Sequence, residues 1–153
     1  MADTFSQIYL QFVFAVQNRK KLIPPDQKEE LHAYLGGLVN NRGSKLLAVH
    51  CMPDHCHLFV GFKPTISIPD FVKEIKVESN EFINSKCWTP CRFKWQEGYG
   101  VFSYSQSHID RVCKYIINQE EHHKKQSFKK EYLKLLKHFN VEYNEKYLFD
   151  FDI

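Results

Sequence analysis

The sequence predicts an α+β domain of the ferredoxin-like (RRM-like) type: an antiparallel sheet with helices on one face, followed by C-terminal helices. The apolar period changes along the chain in the order strand, helix, strand, strand, helix, strand, which is the order of a split β-α-β unit. The 153 residues contain no repeat and no Gly/Ser linker. We therefore expect one domain over residues 1–153, with a core at 5–123 and a helical tail at 124–153, and one sheet face left free.

Composition narrows the classes of protein that fit. The five cysteines are odd in number and scattered, which favours free thiols over disulfides. No run reaches the roughly 18 apolar residues of a spanning helix, and the first residues lack the basic start of a signal peptide. We expect a cytoplasmic protein with no membrane partner. The formal net charge of +3 permits a nucleic-acid partner but argues for one only weakly.

The first half of the chain contains the clearest periodic segments. Residues 7–16 alternate as a buried strand, with Ile8, Leu10, Phe12 and Phe14 on one side. Pro24-Pro25 and the acids that follow predict a helix start. That helix should end at 41–43, and Gly36-Gly37 inside it indicates either a break or a close neighbour.

Residues 45–51 and 55–62 predict a hairpin joined by the tight connection 52–54. Ser67 predicts the cap of a second helix. In residues 88–105 we expect one short strand, where Phe93 and Trp95 alternate with polar residues, and then a glycine-rich turn. The last helix is expected at 127–139, with its lysines on a solvated face.

His55 and His57 are the first candidate site. Side chains on a strand repeat every two residues, so both imidazoles should point to the same side of the sheet. Such a pair can hold one metal ion. Two alternatives stay open: strand histidines without a metal, and a structural zinc site that adds Cys51 and the Cys87-x-x-x-Cys91 pair.

A helix predicted at residues 107–123, with Ser107 as its N-cap, supplies the second candidate. At about 100° per residue, one apolar stripe forms the core face; its members are Ile109, Val112, Cys113, Ile116 and Ile117. Tyr115 lies off this stripe, in a polar row with His108, Arg111, Gln119 and His122. Tyr115 and Gln119 are one turn apart, and an amide oxygen with two imidazoles suits Mg²⁺ or Mn²⁺ better than structural zinc.

Three segments in order resemble the single-tyrosine transposases of the insertion-sequence-200-like family, within the His-hydrophobic-His endonuclease superfamily. They are residues 52–57 (MPDHCH), 95–103 (WQEGYGVFS) and 115–123 (YIINQEEHH). The likeness runs from Phe5 to Phe149 and includes the tail at 142–150. One departure is Cys56, where the family usually has a larger aliphatic residue; we expect it to point into the core as a small hydrophobe.

The resemblance implies a metal-dependent transposase that cleaves and rejoins single-stranded DNA through a 5′-phosphotyrosine. His55, His57 and Gln119 would bind Mg²⁺ or Mn²⁺, and Tyr115 would be the nucleophile. The substrate would be DNA with hairpin ends, so we expect a nucleoid-associated protein. The resemblance also implies a homodimer whose active sites are shared between subunits. His108, His122 and Asn118 are candidate assisting groups.

Basic residues beside aromatic residues predict DNA contacts, because phosphate binding and base stacking favour that combination. The candidates are Arg19, Lys20, Lys21, Arg92, Lys94, Trp95, Tyr99 and Arg111. Solvated loops would have the same composition. The alternative function is a non-cleaving single-stranded nucleic-acid-binding protein or a domesticated transposase relative.

Overall fold

Four strands form one antiparallel sheet in the computed structural model, which describes residues 5–144. The strands are β1 (Tyr9–Ala15), β2 (Lys45–Met52), β3 (His55–Gly61) and β4 (Gly100–Tyr104). Their order across the sheet is β2-β3-β1-β4, with β1 and β3 in the centre. This arrangement confirms the predicted α+β, ferredoxin-like class.

Five α-helices accompany the sheet within the described residues. They are α1 (Lys28–Asn41), α2 (Ile68–Ser85), α3 (Ile109–Ile117), α4 (Gln119–Lys125) and α5 (Phe128–His138). Ser67 caps α2 by accepting a hydrogen bond from the Asp70 amide at 3.2 Å, as predicted. Among these helices, none has the length and apolar character needed to cross a membrane.

Helices α1 and α2 cover one face of the sheet. The even-numbered residues of β1 and β3 point to this side and form the main core, because side chains alternate across a strand. Phe12 and Phe71 lie there with ring centroids 5.2 Å apart. Cys56 is fully buried in this layer, in agreement with the expected inward orientation.

The second face of the sheet is covered as well, so the prediction that it stays free is wrong. Val13 and Phe102 pack against Phe128 and Tyr132 of α5. Phe59 packs against the buried residues of α3. The odd-numbered residues of β3, which include both predicted ligand histidines, therefore face an enclosed layer between the sheet and the C-terminal helices.

The helix predicted at 107–123 is two helices. The chain turns at Asn118, with φ −93° and ψ 24°, between α3 and α4. Ser107 lies in a 3₁₀ turn at Gln106–His108, and His108 occupies the N-cap position of α3. Ile117 is 60% exposed, so its expected place in the core stripe is also wrong. The polar segment after the turn has no apolar stripe that would hold it in line with α3.

The alternation at 92–96 does not form a strand; it contributes one isolated bridge, between Val16 and Trp95. The fourth strand lies instead in Gly100–Tyr104, most of which was expected to be turn or loop. Helix α1 runs through both of its glycines without a break. A Cβ at Gly36 would approach Leu46 Cδ2 to 3.3 Å, so the close neighbour is the reason for that glycine.

Candidate active site

Strand β3 places the two histidines on the same side of the sheet, as its period predicts. The side chains of His55 and His57 are 1% and 0% exposed. Their ring centroids are 5.3 Å apart. The pair is therefore a buried platform at one end of the central strands.

Each histidine is oriented by an oxygen atom of a neighbouring residue. His55 Nδ1 donates to Asp54 Oδ1, and His57 Nδ1 donates to Gln11 Oε1, both at 2.7 Å. Gln11 in turn donates to the Tyr104 hydroxyl at 2.8 Å. A neutral imidazole that donates through Nδ1 carries its lone pair on Nε2. Both Nε2 atoms face the layer between the sheet and α5.

Glu131 of α5 brings a carboxylate into this layer. Its Oε1 lies 3.0 Å from His57 Nε2 and 3.8 Å from His55 Nε2. The side chain is 1% exposed. Among the described residues, His55, His57 and Glu131 are the group of potential metal ligands whose donor atoms all lie within 4.8 Å of one another.

Gln119, at the first position of α4, is fully buried beside this carboxylate. Its Nε2 donates to Glu131 Oε2 at 3.0 Å. Its Oε1 lies 3.0 Å from Nε2 of His123, which also lies 3.3 Å from Glu131 Oε1. The structure thus brings the predicted amide ligand to the site, in contact with Glu131.

Tyr115 reaches the same carboxylate from α3. Its hydroxyl donates to Glu131 Oε2. Its ring lies 6.3 Å from the His57 ring and stacks on His122 at 4.5 Å. The tyrosine, the histidine pair and Gln119 therefore meet within one chain.

The site has a defined electrostatic character. Burial lowers the pKa of His55, although the bond to Asp54 opposes this effect. Burial raises the pKa of Glu131, but His57, His123 and His55 outweigh it and the net pKa lies below the usual range. Burial, followed by the Glu131 charge and hydrogen bond, raises the pKa of Tyr115. The structure thus combines a neutral His55, a carboxylate and a protonated phenol.

A cavity of about 320 Å³ adjoins this site at His55 and His123. Phe128 of α5 also lines it. Arg19 and Lys21, two of the predicted DNA contacts, line it as well. Arg19 Nε also lies 3.4 Å from Asp54 Oδ2, which links the basic loop to the histidine pair.

The other predicted site residues differ in exposure: some are buried and others lie on the surface. Trp95 is 2% exposed and donates through Nε1 to Ser79 Oγ at 2.8 Å, so its prediction as a base-stacking residue is wrong. Tyr99 is half-buried against the main core. His108 is exposed, and its Nδ1 lies 2.8 Å from Ser105 Oγ. The remaining candidates are all exposed: Lys20, Arg92, Lys94, Arg111 and Asn118.

Sequence reasoning missed four residues of the site: Gln11, Asp54, His123 and Glu131. Glu131 could have been found from the sequence. Glu131 is the only acid of α5 and occupies the apolar stripe of that helix, three residues after Phe128 and four before Leu135. An acid at such a position indicates a buried partner.

The zinc alternative does not fit. Cys51 lies in the main core beneath α1, on the face of the sheet opposite the histidines. Cys87 and Cys91 are exposed. The cysteines therefore cannot complete a shared site with His55 and His57.

A ferredoxin-like sheet whose histidine pair faces a helix-borne tyrosine is the arrangement that the sequence resemblance predicts for a single-tyrosine transposase. Comparison with family models matches residues 4–119 to the family described as Transposase IS200 like, and the chain belongs to that family. The match ends at Gln119, so Glu131 lies beyond the matched residues.

Individual relatives agree with this assignment. The ISDra2 transposase TnpA of Deinococcus radiodurans is 25% identical over 122 residues, which cover 75% of this chain and 86% of the relative. A crystal structure of a protein from Deinococcus radiodurans R1 that is assigned as a transposase matches with a TM-score of 0.60 and 25% identity, over 78% of this chain and 95% of the other.

A second solved structure supports the fold alone. It is a REP-associated tyrosine transposase bound to a REP hairpin, with a TM-score of 0.58 and 16% identity. The likeness covers 80% of this chain and 74% of the other.

Proposed function

We propose that this transposase cleaves and rejoins single-stranded DNA at the ends of an insertion sequence, with Tyr115 as the nucleophile. The observation that carries the proposal is the position of the Tyr115 hydroxyl, which bonds to Glu131 directly in front of the buried histidine pair. A phenol held at a buried cluster of imidazoles, one of which, His55, also lines a cavity with basic residues, is suited to attack on a phosphodiester.

The histidine pair fits a divalent metal ion. Among the described residues, His55 Nε2 is buried and has no hydrogen-bond partner, although Nδ1 of the same ring is fixed by Asp54. An unpartnered acceptor in a buried, oriented imidazole is the state that a metal ligand requires. We propose that His55 and His57 hold Mg²⁺ or Mn²⁺, which would supply positive charge to the phosphate oxygens. Gln119 is the third ligand that the resemblance implies.

The chemical step is a substitution at phosphorus. The Tyr115 oxygen forms a bond to phosphorus, the bond from phosphorus to the 3′ oxygen breaks, and the phenol proton passes to that oxygen. The products are a 5′-phosphotyrosine and a free 3′-hydroxyl. Because the phosphodiester energy is retained, a 3′-hydroxyl can reverse the step and rejoin a strand without ATP. His122, stacked on Tyr115, is placed to assist.

The proposed substrate is DNA with hairpin ends. A related fold has been solved with a REP hairpin bound. In this chain, Arg19 and Lys21 at the cavity offer phosphate contacts near the reacting groups. Acting on chromosomal DNA, the protein would associate with the nucleoid.

The test uses single-stranded oligonucleotides that span each flank of the gene and contain its imperfect palindromes, incubated with Mn²⁺. A 3′-labelled strand should give a labelled protein adduct on a denaturing gel. A 5′-labelled strand should give a free, shortened fragment. We expect Tyr115→Phe to abolish both products and Tyr99→Phe to retain them.

Two results would contradict the proposal. DNA binding by the wild type without any adduct on either flank would favour the non-cleaving alternative. An adduct that survives in Tyr115→Phe would assign the nucleophile to another residue.

A further inference from the structure

We infer that Glu131 is a direct ligand of the metal ion, together with His55 and His57, and that Gln119 positions this carboxylate. The inference rests on the proposed metal site and deepens it. It makes α5, which lies beyond the residues matched by the family model, a part of the reaction centre.

Three potential ligand atoms converge in the layer between the sheet and α5. With both Nδ1 atoms donating to oxygen, the Nε2 atoms are the ring nitrogens left to face Glu131. Glu131 Oε1 stands 3.0 Å from one Nε2 atom and 3.8 Å from the other. Acceptors that face each other need a shared cation. A proton on His57 would serve one contact only, whereas a metal ion would satisfy all three atoms.

Glu131 holds a negative charge in a buried position. A carboxylate that is 1% exposed is costly unless a cation pairs with it. Within the described part of the chain, its polar partners are histidines, Gln119 and Tyr115, with neither lysine nor arginine among them. The histidines lower the pKa of this carboxyl group, and a divalent ion would add a permanent positive charge beside it. Carboxylate oxygen with imidazole nitrogen is also a set that Mn²⁺ accepts.

The side-chain amide of Gln119 is held at both ends. Both ends of its amide are engaged, one by Glu131 Oε2 and the other by His123. An amide held in this way fixes the orientation of the Glu131 carboxylate through its bond to Oε2. Glu131 also accepts the Tyr115 hydroxyl through Oε2, so one carboxylate connects the ion site to the nucleophile. Gln119 is then a positioning residue.

The test is a calorimetric titration of metal-free protein with Mn²⁺, without DNA. We expect Glu131→Gln to weaken Mn²⁺ binding by more than about 100-fold, which exceeds the roughly 10–100-fold cost of losing an outer partner. Gln119→Ala should fall within that smaller range. Glu121→Gln is the matched control, because Glu121 is an exposed acid of α4 paired with Lys124. The Glu121→Gln variant should bind Mn²⁺ with the same affinity as the wild type.

An unchanged Mn²⁺ affinity in Glu131→Gln would overturn the inference, and so would a larger loss in Gln119→Ala than in Glu131→Gln. Circular dichroism checks that each variant is folded.

A second measurement uses only the wild-type protein and therefore does not depend on whether a variant folds. Infrared difference spectra of protein with ¹³C-labelled glutamate should show a shifted carboxylate stretch when Mg²⁺ is added; no shift would contradict ligation by Glu131.

The outcomes separate this inference from the proposed function. If Mn²⁺ binding depends on Glu131 but no DNA adduct forms, the ligand assignment holds and the catalytic proposal fails. If the adduct forms while Glu131→Gln binds Mn²⁺ normally, the ligand assignment alone fails.

Discussion

Gln11 and Asp54 determine how the histidine pair presents its nitrogen atoms. Each accepts a hydrogen bond from an Nδ1 atom at 2.7 Å, which fixes both the ring orientation and the tautomer. The Nε2 lone pairs are therefore directed at Glu131 before any ion binds. The lowered pKa of His55, caused first by burial, supports a neutral ring at physiological pH.

Replacing Gln11 tests this orienting role. Gln11→Met keeps the length of the side chain but removes the acceptor for His57, so we expect Mn²⁺ affinity to fall by roughly 10–100-fold. Calorimetric titration of metal-free protein measures it. Tyr104→Phe is the control, since it removes the other partner of Gln11 and keeps the bond to His57. Equal affinities in Gln11→Met and wild type would rule out the orienting role.

The histidine pair was predictable and its carboxylate partner was not, for a physical reason. The common direction of His55 and His57 follows from the two-residue period of a strand, which is local. Glu131 is 74 residues away from His57 along the chain, and its approach depends on how α5 packs on the sheet. For Trp95 the local pattern predicted a site residue that the structure does not provide. Its basic neighbours suggested a ring that stacks on DNA bases, but tertiary packing buries the ring.

At the scale of elements, the position of α5 depends on a glycine in β4. A Cβ at Gly100 would lie 2.8 Å from the Tyr132 hydroxyl oxygen and 2.9 Å from Tyr132 Cε1. Tyr132 directly follows Glu131. The absence of a side chain at Gly100 thus allows the close approach that brings the carboxylate to the histidines.

We expect Gly100→Ala to lower the free energy of unfolding by roughly 1–3 kcal/mol, the usual cost of overpacking, and to weaken Mn²⁺ binding. Gly37→Ala is the matched control. Gly37 is an exposed position inside α1 with no atom within 4 Å of its added Cβ. Gly37→Ala should raise the free energy of unfolding by roughly 0.5–1 kcal/mol and leave Mn²⁺ binding unchanged.

Chemical denaturation and metal titration measure the two effects. A Gly100→Ala variant with wild-type stability and affinity would show that α5 can shift without consequence for the site.

The central elements followed from apolar periodicity, and their bounds agree with expectation to within a few residues. Helix α5 was also predicted, at 127–139; in the structure Ser127 is its N-cap and accepts from the Lys130 amide at 3.2 Å. The break at Asn118 and the covering of the second sheet face were missed. Both depend on contacts between distant segments, which no local pattern encodes.

On the scale of the whole molecule, one chain assembles the tyrosine and the histidine pair. The resemblance to the family implies a homodimer with shared sites, which stays a prediction. Within a single chain, Tyr115 and His57 already lie at one site, which is the alternative to a shared site.

Mixed subunits test this arrangement. We expect that co-expressing Tyr115→Phe with His57→Ala, purified through two different tags, yields no DNA adduct, because each subunit lacks one half of its own site. Recovery of adduct would show that the subunits exchange their tyrosine helices. Each variant expressed alone provides the baseline.

The expected division into a core at 5–123 and a tail at 124–153 cuts across the candidate site. Glu131 belongs to that tail and contacts Tyr115 and His57 of that core. Residues 145–153, which include the end of the tail motif, lie outside the described part of the chain. The single-domain prediction over 1–153 therefore remains a proposal.

The most direct test of the central claim is to locate the nucleotide in the covalent adduct. Trypsin should release residues 115–124, in which Tyr115 is the only tyrosine, while Tyr99 and Tyr104 lie together in residues 95–111. After nuclease trimming, mass spectrometry should find a 5′-linked nucleotide on the 115–124 peptide, in the presence of Mn²⁺ only. A nucleotide on the 95–111 peptide, or an adduct formed equally well in chelator, would contradict the account.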